Sequence, residues 1–520
     1  MKVNDHACVC VPVCVRRAED LPGAVARAAA VADVVELRFD CLEASQLEAA
    51  LRELGRVGEA AARPLVYTFR PEAEGGRRAL DARQRRDFWT RVNESVRAGE
   101  SRAPDFADLE LDFFNEDAAV VLKLREHSAL ICSHHDFAGT PPDLERIYEA
   151  LAATPSRALK IAVRANHITD CISVLKLLAR ARREGRQLVA VSMGEAGLLT
   201  RVLGPSRGSL LTYGALDAEQ ATAPGQVGAR ELRELYRVHE IKAETAITGL
   251  VGSPVVHSLS PHMHNAAFAA RGCDGVYIPF EVADADAFLR RMVNPRTREL
   301  DWRLRGLSVT APHKSAVMSH LDWVEPRARE IGAVNTVVVE GEELRGYNTD
   351  ADAALEPVRV VVELRGARVA VLGAGGAARA LLWGLRERGA RPTVYARDLA
   401  KARAVAGEFG ADAATLGEAP LGGYELVVNA TPLGTRGKHE REAASAAAQL
   451  RGARVAYDLV YNPAETRFLR EARAAGCETV GGLPMLVAQA ARQFTLWTGL
   501  EAPLEVMRAA AERRMADAGC

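Results

Sequence analysis

Two rhythms alternate along this chain. Through the first 240 residues, short β-branched runs of period two are each followed by a longer Ala/Leu/Arg/Glu stretch of helical period. Eight such runs stand out: Cys8–Val15, Asp33–Phe39, Pro64–Arg70, Asp105–Leu111, Ala129–His134, Leu159–Val163, Leu188–Met193 and Ser209–Tyr213. Between them lie periodic segments such as Asp81–Gly99, Ile168–Glu184 and Gln226–Ile241, read as helices. Eight strands alternating with helices over about 240 residues predict a (β/α)8 TIM barrel, a fold whose chemistry sits where strands end. Polar residues collect there: Glu36 and Arg38 end the second run, Arg70 the third, Glu110 the fourth and His134–His135–Asp136 the fifth. Arg201 and Gln226 follow the seventh and eighth runs. Lys160 lies inside the sixth, in ALKIAV, and a charge within a strand needs a reason because a buried unpaired ammonium is expensive.

A second unit opens with AITGLVG near residue 245. Four runs, Ala246–Gly252, Val276–Glu281, Leu304–Thr310 and Val334–Val339, predict an α/β lobe over residues 245–352. A third pattern then reads strand (Arg368–Leu372), Gly-rich turn and helix, with further strands near Thr393–Ala396, Glu425–Asn429 and Arg454–Leu459, over residues 353–483. The tail from Pro484 to Arg514 is one or two helices. The fold class is α/β throughout.

Composition narrows the function classes. The chain has 520 residues, 48% hydrophobic and 26% charged, so it is globular and too long for a single core. Its 67 Lys+Arg against 68 Asp+Glu leave no basic field to hold nucleic acid or an acidic membrane face. The longest uncharged stretch, Thr245 to Ala270, is broken by Pro254 and Pro261 and does not read as a membrane span. The start has no secretory pattern. Nine thinly spread cysteines argue for a reducing compartment rather than a disulfide scaffold, so a cytoplasmic enzyme is expected. Cys8, Cys10 and Cys14 share one side of an alternating strand and are read as buried strand cysteines, although His6 precedes them.

In RVAVLGAGGAARA, Gly373, Gly375 and Ala378 match the turn that lets backbone approach a pyrophosphate at a helix N-terminus. The cradle comprises Gly373, Ala374, Gly375, Gly376 and Ala377. Where an NAD site would place an acid for the ribose hydroxyls, the chain has Arg397 and then Lys401, cations that suit a 2′-phosphate and favour NADP; Asp398 stands against that reading. In HSLSPHMHN, Ser260 and Pro261 read as N-cap and N1 of a helix, and Ser258 and Ser260 aim hydroxyls at its N-terminus, a seat for a carboxylate. His257, His262 and His264 lack companion carboxylates or cysteines, so no metal site is expected.

SLSP, SVTAPHK, GAVNT, YNTD, GAGGAAR, NATPLG, YDLVYNP and GGLPMLVAQA occur in the order found in shikimate dehydrogenases, over roughly Ile247 to Trp497. The resemblance implies a substrate lobe at 245–352, completed by C-terminal helices at 484–515, and a Rossmann NADP lobe at 353–483. It further implies that Lys314 protonates a developing alkoxide and that Asp350 positions Lys314 and a substrate hydroxyl. Ser258, Ser260, Thr310, Asn335, Tyr461 and Gln489 would bind substrate; Asn429, Thr431, Leu459 and Gly482 would join the cofactor site. The chain reads NTDA where many members read NTDG, which touches the turn after Asp350.

FRPEAEGG, SHHDFAGTP, ALKIAV, SMGEAGLLTR and TAPGQ resemble type I 3-dehydroquinate dehydratases across residues 7–240. That resemblance implies Lys160 as Schiff-base lysine, His135 as general acid/base and Glu74 as the carboxylate that steadies it. Glu36, Arg38, Arg70, Arg201, Thr222 and Gln226 would hold substrate, with Arg201 clamping its carboxylate. By strand alternation His134 faces away from His135. A lysine nucleophile must be neutral, a shift of about 3 units; apolar neighbours Leu159, Ile161 and Val163 with nearby guanidiniums are read as its cause.

Together these imply a fusion that dehydrates 3-dehydroquinate and reduces 3-dehydroshikimate to shikimate with NADPH, acting on small molecules; a monomer is expected, the fusion replacing the surface by which free barrel dehydratases often dimerise. A quinate- or NAD-using dehydrogenase serving quinate metabolism is the alternative on the same scaffold. A non-catalytic metabolite sensor would be expected to lose the reactive groups, and they are all present.

Overall fold

The computed structural model describes residues 7–60, 62–217, 222–417 and 420–517; His6 lies outside them. The chain packs as two units, one of residues 1–245 with 280–292 and 297–303, the other of the remaining residues.

In the first unit, strands β1 (Val9–Val13), β2 (Val34–Arg38), β3 (Leu65–Thr68), β4 (Phe106–Glu110), β5 (Ala129–Asp136), β6 (Ala158–Arg164), β7 (Gln187–Met193) and β8 (Thr212–Tyr213) form one parallel sheet in the order 7-6-5-4-3-2-1-8. A bridge between Leu188 and Ser209 brings the ends together, so the barrel is nearly closed. Period two explains its interior. Cys10, Val34, Val66, Phe106, Ile131, Ala158 and Val189 pack as an apolar floor. Two residues further along the strands stand Glu36, Thr68, Asp108, Ser133 and Lys160, all buried. Two further on, Arg38, Arg70, Glu110 and His135 reach the mouth.

Three expectations need correction here. The segment Gln226–Ile241 is helical only over 229–235, ending in a five-residue π-helix, Glu231–Leu235, because hydrogen bonds from Ala215 N to Val227 O and from Ala229 N to Ala215 O pin its start as an extension of β8. Cys14 is not a strand cysteine: β1 stops at Val13, alternation lapses, and the parallel register Val13–Leu37 delivers Cys14 to Cys41, with which it forms a disulfide (Cα–Cα 5.3 Å). Leu159, Ile161 and Val163 alternate away from Lys160, so they are not its surroundings. Residues 280–292 and 297–303 also belong to this unit, where Lys176 Nζ meets Glu299 Oε2 (2.6 Å) and Arg207 Nη1 donates to the Asp301 carbonyl (3.0 Å).

The second unit holds two six-stranded sheets. The first orders β9 (Ala246–Gly252), β10 (Gly275–Glu281), β11 (Leu304–Val309), β12 (Trp323–Val324), β13 (Thr336–Glu340) and β14 (Glu343–Tyr347) as 10-9-11-13-14-12. The second is all parallel: β15 (Arg368–Leu372), β16 (Arg391–Ala396), β17 (Asp412–Thr415), β18 (Leu426–Asn429), β19 (Val455–Asp458) and β20 (Glu478–Val480), ordered 17-16-15-18-19-20. The order reverses beside β15, the switch point where α/β sheets bind ligands. Helices Leu483–Thr498 and Leu504–Asp517 return to the first sheet: Val487, Ala490, Phe494, Trp497 and Met507 pack with Met263, Phe268 and Tyr277. No helix among the described residues is long and apolar enough to cross a membrane.

Candidate active sites

The nine barrel residues that the resemblance assigns to catalysis and substrate binding, Glu36, Arg38, Arg70, Glu74, His135, Lys160, Arg201, Thr222 and Gln226, line one cavity at the strand ends. Lys160 Nζ lies 2.8 Å from Asp108 Oδ2 and 3.4 Å from Glu36 Oε1, and 4.4 Å above the Tyr213 ring. Arg70 Nη2 stands 2.7 Å from Asp108 Oδ2 as an ion pair; burial by itself would raise the Asp108 carboxyl, but the charges of Arg70 and Lys160 outweigh it and hold the group far below the usual range. Carboxylates, not apolar side chains, therefore surround the lysine. His135 Nδ1 meets Glu74 Oε2 at 3.0 Å. Burial, aided by the positive charges of Arg70 and Lys160, pushes the imidazole well below its ordinary range, so it rests neutral. Burial, opposed by Arg70 and reinforced by Glu110, Asp112 and Asp108, pushes Glu74 up to about 8. His134 is half-buried and does not line the cavity.

Arg201 is 1% exposed and forms no ion pair among the described residues. It has only two long contacts, to the carbonyls of Tyr213 (3.5 Å) and Pro224 (3.4 Å), and burial alone brings its pKa down to about 10. A buried guanidinium facing a cavity without a counter-ion is a seat for an anion. Thr222 N and Oγ1 both donate to Gln226 Oε1, at 2.8 and 3.2 Å. Sequence reading missed Asp108 and Tyr213. Asp108 had a signal, because a charge in the middle of a strand is the feature that marked Lys160.

In the second unit Lys314 Nζ is 2.6 Å from Asp350 Oδ2, and Asn335 Nδ2 donates to Asp350 Oδ1 at 2.8 Å. The Lys314 side chain is 19% exposed and that of Asp350 6%, so the lysine is partly open while its partner is buried. The Val334 amide donates to the Lys314 carbonyl at 2.8 Å, tying the GAVNT loop to the lysine. Gln493, which sequence reading passed over, accepts from Ser308 Oγ (2.8 Å) and donates to the Asn335 carbonyl (3.1 Å), bracing that loop from the C-terminal helix. Thr310, half-buried, ends the run that leads to Lys314. Ser260 is not the N-cap but the first residue of the helix Ser260–Ala270; Leu259 stands at the cap position without a capping side chain, and the Ser258 hydroxyl accepts from Ser260 N at 3.2 Å. The Tyr461 phenol is turned toward Ser258. Gln489 donates to Leu486 O at 2.8 Å within its own helix. His264 is wholly buried, stacked on Tyr277 at 4.4 Å, with burial pushing it down to about 3.

The glycine-rich turn runs from β15 into helix Gly376–Glu387. Gly373 has φ +121°, and a Cβ there would stand 2.8 Å from the Ala430 carbonyl; around Gly375 nothing lies within 4 Å, leaving bare backbone. Ala374 and Ala377 flank this cradle, and Gly376 packs beside Lys314, its Cβ position 3.1 Å from Lys314 Cδ. Asp398 is consumed as a helix cap, accepting from Ala400 N (2.9 Å) and Lys401 N (3.2 Å), while Arg397 and Lys401 are exposed and form no ion pair among the described residues. The residues therefore fit a nucleotide with an extra phosphate. Asn429 is wholly buried, donating to Asp458 Oδ1 (2.9 Å) and accepting from Thr431 Oγ1 (2.6 Å), so its side chain shapes the loop from within. Gly482 allows close approach to Leu459, whose carbonyl would be 2.6 Å from a Cβ.

Comparisons with known proteins agree with this geometry. The type I 3-dehydroquinase family matches residues 9–243, the shikimate dehydrogenase substrate-binding domain residues 250–337, and the shikimate 5′-dehydrogenase C-terminal domain residues 482–512. A chloroplastic bifunctional 3-dehydroquinate dehydratase/shikimate dehydrogenase of Arabidopsis thaliana is 32% identical, across 97% of this chain and 84% of its own length. An NADP(+) shikimate dehydrogenase of Moorella thermoacetica is 42% identical over 52% of this chain and 93% of its own. A Thermus thermophilus shikimate 5-dehydrogenase solved with NADP(H) and shikimate is 41% identical, covering 52% of this chain and 98% of that one, with a TM-score of 0.46. A barrel cavity with a lysine among carboxylates, a Lys–Asp pair beside a glycine-rich turn, and a relative spanning both lead to one conclusion: the chain belongs to the bifunctional type I 3-dehydroquinate dehydratase/shikimate dehydrogenase family.

Proposed function

We propose that the barrel dehydrates 3-dehydroquinate through an imine on Lys160 and that the second unit reduces the resulting 3-dehydroshikimate to shikimate with NADPH. The observation that carries the first step is Arg201, a buried guanidinium without a counter-ion in the same cavity as Lys160. The substrate carboxylate supplies that counter-ion and sets the ketone against Nζ. Attack by the free amine and loss of water form an iminium, a cation at the nitrogen that Asp108, Glu36 and the Tyr213 ring already surround. The iminium acidifies the neighbouring C–H. His135, neutral in the resting enzyme, takes that proton and returns it to the departing hydroxyl; hydrolysis frees Lys160.

In the second unit NADPH, when bound on the turn Gly373–Ala377 with its 2′-phosphate at Arg397 and Lys401, supplies the reducing equivalent. Lys314 donates its proton to the ketone oxygen, and Asp350, fixed by Asn335, aims the ammonium. Ser258, Ser260, Tyr461, Thr310 and Gln489 are assigned to holding the substrate.

The proposed modules are 1–241, 245–352 with 484–515, and 353–483, acting as a monomer in the cytosol; sedimentation and cell fractionation test those last two readings. The central experiment follows nicotinamide oxidation on adding 3-dehydroquinate and NADPH to the purified protein. Lys160→Ala should abolish it, and 3-dehydroshikimate should restore it. Absence of oxidation even from 3-dehydroshikimate would overturn the assignment of the second unit.

A further inference from the structure

Asp40 belongs to no site assigned so far, yet it is wholly buried beside the dehydratase cavity. Its two oxygens receive four donors. Arg38 Nε reaches Oδ1 at 2.8 Å and Arg38 Nη2 reaches Oδ2 at 2.7 Å, a two-pronged pair that fixes the plane of the guanidinium. The amides of Arg70 (3.4 Å, to Oδ1) and Arg77 (3.0 Å, to Oδ2) also donate to it. Those two amides bracket the loop that carries Glu74. The loop is tight: a Cβ at Gly76 would lie 1.9 Å from the Arg70 carbonyl. One carboxylate thus holds a cavity arginine and both ends of the segment that presents Glu74 to His135. Its neighbour Cys41 is tied to Cys14, which anchors the backbone from the other side.

We propose that Asp40 is a positioning residue for the dehydratase, setting Arg38 for substrate and fixing the Glu74 loop. Nothing in the cavity lining replaces it: Arg38 makes no other hydrogen bond among those described, and Glu36, the next acid along β2, is taken up by Thr68 Oγ1 (2.8 Å) and Lys160.

This rests on Arg38 binding substrate, so the experiment is a double-mutant cycle. Dehydratase kcat and KM are measured for the wild type, Arg38→Ala, Asp40→Asn and the double variant, with the dehydrogenase rate on 3-dehydroshikimate as an internal control. Asp40→Asn keeps one acceptor oxygen, enough for one of the two loop amides, and loses the charge facing Arg38. Loss of a buried charged hydrogen bond of this kind corresponds to about a 10- to 100-fold rise in KM. The dehydrogenase rate should not move, and the double variant should be no worse in KM than Arg38→Ala alone. A wild-type KM in Asp40→Asn, or a double variant whose loss is the product of the two single losses, would overturn the proposal. If Arg38→Ala alone leaves KM unchanged, the assignment of Arg38 is what fails. Should Asp40→Asn not fold, Asp40→Glu, which retains the charge one methylene further out, must show the raised KM with a wild-type melting curve; a wild-type KM there is equally fatal.

Discussion

Glu74 makes the barrel less stable than its own fold allows, and the penalty is measurable. Its carboxyl is raised from 4.5 to about 8, chiefly by burial and by the acids Glu110, Asp112 and Asp108. A carboxyl with a higher pKa folded than unfolded binds more protons in the folded state between the two values. Its contribution to stability is therefore present at acid pH and is lost as pH rises from about 4.5 toward 8. At pH 7 the accumulated loss is about 3 kcal/mol, against under about 1 kcal/mol at pH 5. Glu74→Gln keeps a hydrogen-bonding amide next to His135 and removes the titration. His135 has the opposite dependence, since a depressed imidazole disfavours the folded state below its ordinary range, but it is present in both proteins and cancels in the difference. The expected result is a stability gap in favour of Glu74→Gln that widens by about 2.5 kcal/mol between pH 5 and pH 7. Urea-dependent hydrogen exchange of peptides spanning β5 and β6 isolates the barrel from the second unit. A gap that stays flat across that range would refute the reasoning, because it would mean Glu74 titrates alike in both states.

Other consequences are as direct. Borohydride should trap a substrate adduct on Lys160 in the wild type, and Arg201→Ala should lower its yield at fixed substrate by at least tenfold through weaker carboxylate binding, read by intact mass. Arg397→Gln should raise KM for NADPH about tenfold or more while leaving KM for NADH within about twofold, since only the 2′-phosphate differs; equal effects on both would remove Arg397 from the site. Lys314→Met should reduce dehydrogenase kcat by about 10²- to 10⁴-fold with dehydratase turnover intact, measured in one preparation. Cys14→Ser opens a bridge between residues 27 apart and should lower barrel stability by about 3 kcal/mol, read as an earlier urea midpoint.

The eight barrel strands, eight of the twelve strands in the second unit's two sheets and most of the candidate reacting groups were legible in the chain itself. Period two places Glu36, Lys160 and His135 on inward positions, glycines mark the nucleotide turn, and side-chain chemistry at strand ends marks the mouth. Such signals are local, carried by neighbours a few residues apart. What tertiary structure alone decided is pairing across distance. That Lys160 sits among carboxylates rather than apolar side chains depends on Asp108 arriving from β4, 52 residues earlier. That Cys14 meets Cys41 follows from the register of two parallel strands, and that Asp398 caps a helix instead of facing a ribose follows from where that helix begins. The motif marks Asn429, and packing adds that its side chain is a buried brace on Asp458. A sequence specifies which side chains are available and which face each takes along its own element. The distances between elements, and with them the charge each group feels, exist only once sheets close and long-range register is set.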